Sequence, residues 1–222
     1  MKCAAPMFDL HCHSLFSDGE LLPSELVRRV EVMGYGAVAI TDHVDSSNLE
    51  HVIVNLKRVA DEISRHGSTR LIPGVEITHA HPYLIAGLAV EARRLGAKII
   101  VCHGETIAEP VCPGTNRAGL EADIDILAHP GFITPEEAGL AASKGIMLEL
   151  SARKGHSLTN GHVARLAREY GAPLVINSDG HSPSDFMTAE KARMVGMGAG
   201  LAPDAVEELF RRAWDRILAI EG

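Results

Sequence analysis

Aromatic residues are scarce in this 222-residue chain, at 4%, so its interior has to be built mainly from Ala, Val, Leu and Ile. Long apolar runs are missing as well. None approaches the ~18 residues that suggest a membrane-spanning helix, and the opening MKCAAPMFDL lacks the ~7–15-residue apolar region of a signal peptide. The expectation is a cytoplasmic protein with no membrane partner. Cys3, Cys12, Cys102 and Cys112 show no CxxC spacing, and two of them sit in apolar strand-like runs where a free thiol acts as a small hydrophobe. No Lys/Arg stripe is present either. With 21 basic against 29 acidic residues the formal net charge is −8, which disfavours long nucleic acid as a partner.

What is present is ordinary in amount, 46% hydrophobic and 23% charged, but regular in order. The length suits one domain over residues 1–222, and ~200–250 residues is normal for a single α/β barrel. After an opening strand around Phe8–Ser14, an amphipathic helix is predicted from Pro23 to Met33 and a β-rich run from Ala37 to Thr41. Leu49–His66 has helical spacing, Arg70–Ile77 reads as a strand with an irregularity at Pro73-Gly74, and Pro82–Leu95 reads as a helix stopped by Gly96. Further strands follow at Lys98–Cys102, Ile124–Ala128, Gly145–Leu150 and Pro173–Ile176. Thr134 and Glu137 make a capping box, and helices close the chain.

Seven strands alternating with helices indicate a parallel α/β fold. Their ends, taken at His13, His43, Glu76, His103, His129, Ser151 and Asp179, lie 22 to 33 residues apart, the beat of a seven-stranded barrel. A doubly wound open sheet is the runner-up. It usually carries a Gly-rich phosphate loop after its first strand, where this chain has HCHS.

Two histidines at i and i+2 on a strand point to one face, so His11 and His13 offer a paired grip on a divalent ion. Alone this pattern says little. Six of the seven strands, however, end in a metal-ligating residue type: His11 and His13 with Asp18, then His43, Glu76, His103, His129, and Asp179 with His181. Parallel barrels build their active sites at the C-terminal rim, so metal-ligating side chains on successive strand ends converge there.

These residues carry a resemblance. The series HxHSxxSDG, TDH, PGVEIT, VCHGE, ILAHPG and NSDGH resembles the PHP family, named for polymerase and histidinol phosphatase, from about residue 7 to 185. The runs CHGETIAEPVCPGTN and SARKGHSLTNGH are similar to a compact, stand-alone, histidinol-phosphatase-like branch. The resemblance implies a distorted seven-stranded barrel and three divalent metals, zinc, manganese or iron. It implies that His11, His13, Glu76 and Asp179 surround one metal, that Glu76 bridges to a second held by His103 and His129, and that Asp18, His43 and His181 hold a third. Water acidified between two metals, from 15.7 towards ~7, would supply hydroxide to attack a phosphate monoester, with no Cys or Ser nucleophile.

The strand ending at Ser151 lacks a ligand at its tip, so Arg153 and Lys154 just beyond it are the candidate phosphate clamp, with His156 a candidate either for a group that supports a metal ligand from behind or for the acid to the leaving oxygen. The stretch Glu105–Asp123, which holds Thr115, Asn116 and Arg117, reads as a long loop of the kind that serves as a lid. His51 and His66 are expected on the second helix surface, His162 on a later helix, and His79 and His81 outside the ligand set. The expected substrate is a small phosphorylated molecule. A nucleotide phosphodiesterase or nuclease is the alternative, and a metal-dependent non-catalytic module a weaker one. The amidohydrolase pattern also opens on HxH, but it places Lys on the fourth strand, where this chain has His103.

Overall fold

The computed structural model describes residues 5–63 and 65–220, which leaves Cys3 outside the described part. The elements run β1 (Met7–Cys12), α1 (Pro23–Val32), β2 (Tyr35–Ile40), β3 (His43–Val44), α2 (Leu49–Ile63), β4 (Arg70–Ile77), α3 (Pro82–Leu95), β5 (Ile99–His103), α4 (Thr115–Glu121), β6 (Ile126–Ala128), α5 (Pro135–Lys144), β7 (Met147–Ser151), α6 (Asn160–Tyr170), β8 (Leu174–Asn177), α7 (Ala189–Gly198) and α8 (Pro203–Ala219). Local signals place several boundaries. Thr134 caps α5 with its reciprocal partner Glu137, and Gly96, Gly145 and Gly171 end helices in the left-handed conformation that glycine adopts freely.

Seven strands, ordered β1-β2-β4-β5-β6-β7-β8 and all parallel, form a nearly closed barrel. Helices cover it outside, so the strands are buried on both faces and read as almost unbroken apolar runs. Closure between β8 and β1 is not a regular ladder. Cys12 bridges to Gly180, the Asn177 side chain accepts from Leu10 N at 3.0 Å, and Asp9 accepts from Ser178 N at 3.0 Å. Cys12 lies beside Ser178, and Cys102 packs against α4 at Gly119.

The irregularity expected at Pro73-Gly74 falls on the neighbouring strand instead. β4 runs unbroken, while its partner stops at Ile40 opposite Pro73 and resumes at His43 opposite Glu76. Proline has no N–H for that ladder, and a Cβ on Gly74 would stand 2.8 Å from Ile99 O, so only glycine allows the strands this close. The break turns Asp42 inward. Its carboxylate accepts from Ser14 N, Ser14 Oγ and Ser17 Oγ, each at 2.7 Å, and pins the turn that carries Asp18. Gly19 completes that turn, where a Cβ would sit 2.3 Å from His13 O.

Two expectations are corrected. The stretch Glu105–Asp123 is not all loop, because it contains α4. Gly114 and Gly119 weaken the helical signal there, yet Cys102 Sγ approaches to 2.8 Å of where a Gly119 Cβ would be, so packing selects glycine at a cost of ~1 kcal/mol in helix propensity. The second helix ends at Ile63, so His66 lies in the turn beyond it.

Candidate metal centre

All nine residues expected to bind metal converge at the C-terminal rim. His11 Nε2 lies 3.3 Å from Glu76 Oε1, and His13 Nε2 lies 3.3 Å from Asp179 Oδ1. His129 Nε2 is 3.7 Å from Glu76 Oε1, and His43 Nε2 and His181 Nε2 are 3.5 and 3.2 Å from Asp18 Oδ1. Groups whose donor atoms come close enough to share one ion are His11, His13 and Asp179; Glu76, His103 and His129; and His13, Asp18, His43 and His181. The His13 ring lies 4.1 Å from those of both His43 and His181, which are 5.7 Å from each other, and His13 belongs to two of these groups.

The donor set fits cations on independent grounds. Two donors each ~2.1 Å from one ion stand roughly 3–3.5 Å apart, close to the closest spacings above. His11 Nε2, both ring nitrogens of His13, Glu76 Oε1 and His129 Nδ1 are buried without a hydrogen-bond partner. Each such atom costs about 1–3 kcal/mol if nothing satisfies it. Side chains gathered at that cost in one place suit ions that accept their lone pairs.

Tautomers are set by neighbours. Glu149 Oε1 takes a hydrogen bond from His11 Nδ1 at 2.8 Å and one from Asn177 Nδ2 at 2.8 Å, while its Oε2 accepts from His129 N at 3.1 Å. A carboxylate only accepts, so Nδ1 of His11 carries a proton and Nε2 is the nitrogen turned to Glu76; burial opposes a second proton there, but Glu149, Glu76 and Asp179 outweigh it, so a bound ion would take that proton's place on Nε2. His103 Nδ1 lies 3.1 Å from Gly104 O, which leaves Nε2 free. His43 Nδ1 is 2.7 Å from Glu76 Oε2, so its Nε2 faces Asp18.

Electrostatics follow from burial. Desolvation and the neighbouring imidazoles hold His13 and His129 well below the ordinary histidine range, in the neutral form a metal needs. Burial opposes the charge of Glu76, but His11 and His43 outweigh it and keep the carboxyl low. Burial pushes the Asp179 carboxyl up, with His11 opposing it. The non-glycine residues with positive φ among those described are His79 (51°), His129 (27°) and Asp179 (53°), all at this rim. Such backbone costs of order 1–3 kcal/mol each and persists where the surroundings over-determine it.

A cavity of about 440 Å³ opens over the cluster, lined among others by Asp18, His43, His103, Arg153, His156 and Asp179. Arg153 donates to Asp179 O at 3.1 Å and reaches 2.8 Å from His181 Nδ1. Lys154 lines a neighbouring cavity with Arg153, Asp185 and Lys191. His156 Nδ1 is 2.7 Å from Thr106 Oγ1, and its ring stacks on His129 at 4.1 Å. Asn116 is buried and donates to Pro130 O, whereas Arg117 is exposed and pairs with Glu121.

Sequence reasoning missed three acids and an amide. Glu149 lies in the strand read as lacking a ligand, two residues before its end, hidden in an apolar run. Asp42, inside the TDH motif, was passed over for the histidine beside it. Asn177 stands next to the NSDGH ligands. Glu109 extends from the segment after β5, with Oε2 3.2 Å from His103 Nε2 and 3.1 Å from His79 Nε2, and Oε1 3.3 Å from His156 Nε2. No spacing links it to those histidines.

An uncharacterized protein of Methanocaldococcus jannaschii is 46% identical over 202 residues, covering 90% of this chain and 93% of that one. A 5'-3' exoribonuclease of Escherichia coli is 30% identical over 203 residues, 85% of this chain, which spans only 60% of that enzyme's length. Among solved structures, histidinol phosphate phosphatase of Lactococcus lactis, crystallised with zinc, histidinol and phosphate, superposes with TM-score 0.62 at 17% identity, covering 88% of this chain and 94% of that one. Residues 9–170 match the PHP domain, and with the barrel and its rim of converging histidines and carboxylates in view, the chain belongs to the PHP family.

Proposed function

We propose that this chain is a metal-dependent hydrolase of phosphoric esters acting on a small phosphorylated substrate, with His11, His13, Asp18, His43, Glu76, His103, His129, Asp179 and His181 as ligands to three divalent ions. The observation that carries the substrate class is Arg153. Its guanidinium lines the cavity beside the cluster, donating to Asp179 O and 3.9 Å from the Asp179 carboxylate, which places a planar cation next to the metal-ligating side chains where it could pair with a phosphoryl group.

Zinc, manganese or iron bound there supplies Lewis acidity, acidifying water and spreading charge over phosphoryl oxygens. The chain's own residues do the rest. Glu149 and Gly104 hold His11 and His103 with their Nε2 atoms turned inward, so no reorientation is needed on loading. Arg153 orients the phosphoryl group through paired N–H bonds, and Lys154 adds positive charge from the adjoining cavity. His156, positioned by Thr106, delivers a proton to the leaving oxygen.

A second reading, hydrolysis of RNA ends or nucleotides, draws on the exoribonuclease of Escherichia coli. Phosphate release from a panel of monoesters, histidinol phosphate included, is expected from the zinc- or manganese-loaded protein. No release from any of them, with turnover of bis-p-nitrophenyl phosphate or 5'-phosphorylated oligoribonucleotides, selects the second reading. Activity unchanged in His129→Ala against all of these overturns a catalytic metal centre.

A further inference from the structure

The nine ligands leave one acid at the site without a role. Glu109 stands on the segment 104–114 between β5 and α4. The base of that segment is anchored: Glu105 Oε1 accepts from Gly114 N at 3.0 Å and from Asn116 N at 2.9 Å, and Asn116 Oδ1 accepts from Glu105 N at 2.9 Å. Its tip is more open, with Ile107 50% exposed and local hydrogen bonds from Ala108 N to Thr106 Oγ1 and from Val111 N to Glu109 O. Two side chains join the tip to the rest of the rim: Thr106 Oγ1, 2.7 Å from His156 Nδ1, and the Glu109 carboxylate, turned back onto three imidazoles.

That arrangement suits a shared positive charge, a proton or a metal ion. The bond to Gly104 O puts the His103 proton on Nδ1, so Nε2 presents a lone pair to Glu109 Oε2 at 3.2 Å. Two acceptors facing each other at that distance repel unless positive charge lies between them. The spacing equals that between His181 Nε2 and Asp18 Oδ1, and His79, His103 and Glu109 come close enough to share one ion. His79 reaches Glu109 from a left-handed backbone conformation, φ 51°, that its fold has to maintain.

We infer that Glu109 is a loop-borne ligand to the ion held by His103, with His79 as its partner, so that metal binding ties the 104–114 segment down over the cavity. The segment then acts as a strap whose closure depends on metal. This rests on the metal-centre reading above and adds a tenth donor to it. It also assigns a role to the second HxH motif, His79 and His81, through its first member.

Hydrogen–deuterium exchange of residues 105–112 in the whole chain, with and without zinc or manganese, tests it together with chelator-competition titration of the same ions. In the wild type, added metal should slow exchange across the segment. In Glu109→Gln the slowing should disappear and one ion should bind at least tenfold more weakly, the lower bound expected when even a residue behind a ligand is lost. His79→Gln should show a smaller change of the same kind. Melting curves in chelator check that both variants fold. Wild-type affinity and wild-type slowing in Glu109→Gln, which would mean that a proton on His103 fills the gap, overturns the inference alone. Absence of metal uptake by the wild type overturns the metal-centre reading and the strap with it.

Discussion

Replacing Glu149 by glutamine keeps the size of the side chain and removes one acceptor, and the structure says what that costs. The wild-type carboxylate serves His11 Nδ1 and Asn177 Nδ2 with one oxygen and His129 N with the other. An amide has a single acceptor oxygen. If it faces His129 N, its N–H₂ confronts the His11 N–H, and His11 must move its proton to Nε2, the atom 3.3 Å from Glu76 Oε1. That tautomer cannot ligate. If the amide is turned round, a buried backbone N–H loses its partner at about 1–3 kcal/mol. The first arrangement costs the 10–100-fold in metal affinity typical of residues behind a ligand, on the order of 1.4–2.7 kcal/mol, while the second costs folding stability and spares the His11 tautomer. Zinc or manganese competition titration should therefore show either a 10–100-fold weaker site with a level melting temperature in chelator, or a lowered melting temperature with little change in affinity. Wild-type affinity together with a wild-type melting temperature in Glu149→Gln would refute the claim that this carboxylate sets the His11 tautomer.

Asp42→Ala leaves Ser14 N, Ser14 Oγ and Ser17 Oγ without their shared acceptor, so equilibrium unfolding should show a loss of about 2–4 kcal/mol, with metal binding by Asp18, His43 and His181 weakened as the turn loosens. Metal at 100 times its Kd stabilises by ~2.7 kcal/mol, and ~1 kcal/mol shifts the melting temperature by ~2–4 °C at this chain length, so exhaustive chelation should lower it by about 5–11 °C per such site in calorimetry. Arg153→Ala should weaken inhibition by inorganic phosphate by tenfold or more, whereas Lys154→Ala, at the adjoining cavity, should change it by less than a third as much; equal effects would place the phosphate elsewhere.

The barrel is legible in the chain, and so is the gathering of metal-ligating residue types at one rim. Strands buried on both faces read as apolar runs whatever their neighbours, and Gly96, Thr134 and Gly145 mark helix ends by chemistry that acts within a few residues. These residues can be found because a parallel barrel puts every strand's C-terminal end on one rim, so residue type at a strand end is already position in space. The parts that support the ligands follow another logic. Glu149 meets His11 across 138 residues, and Asn177 meets Leu10 across 167, only because β7 and β8 close against β1. Asp42 turns inward because β2 breaks opposite a proline in the next strand. Glu109 reaches His103 through the path of a loop, and loop paths follow from what the loop packs on. Local chemistry thus determined the elements and the metal-binding residue types. Barrel closure decided which buried acid orients which histidine, because that pairing depends on distances between segments that are remote in the chain.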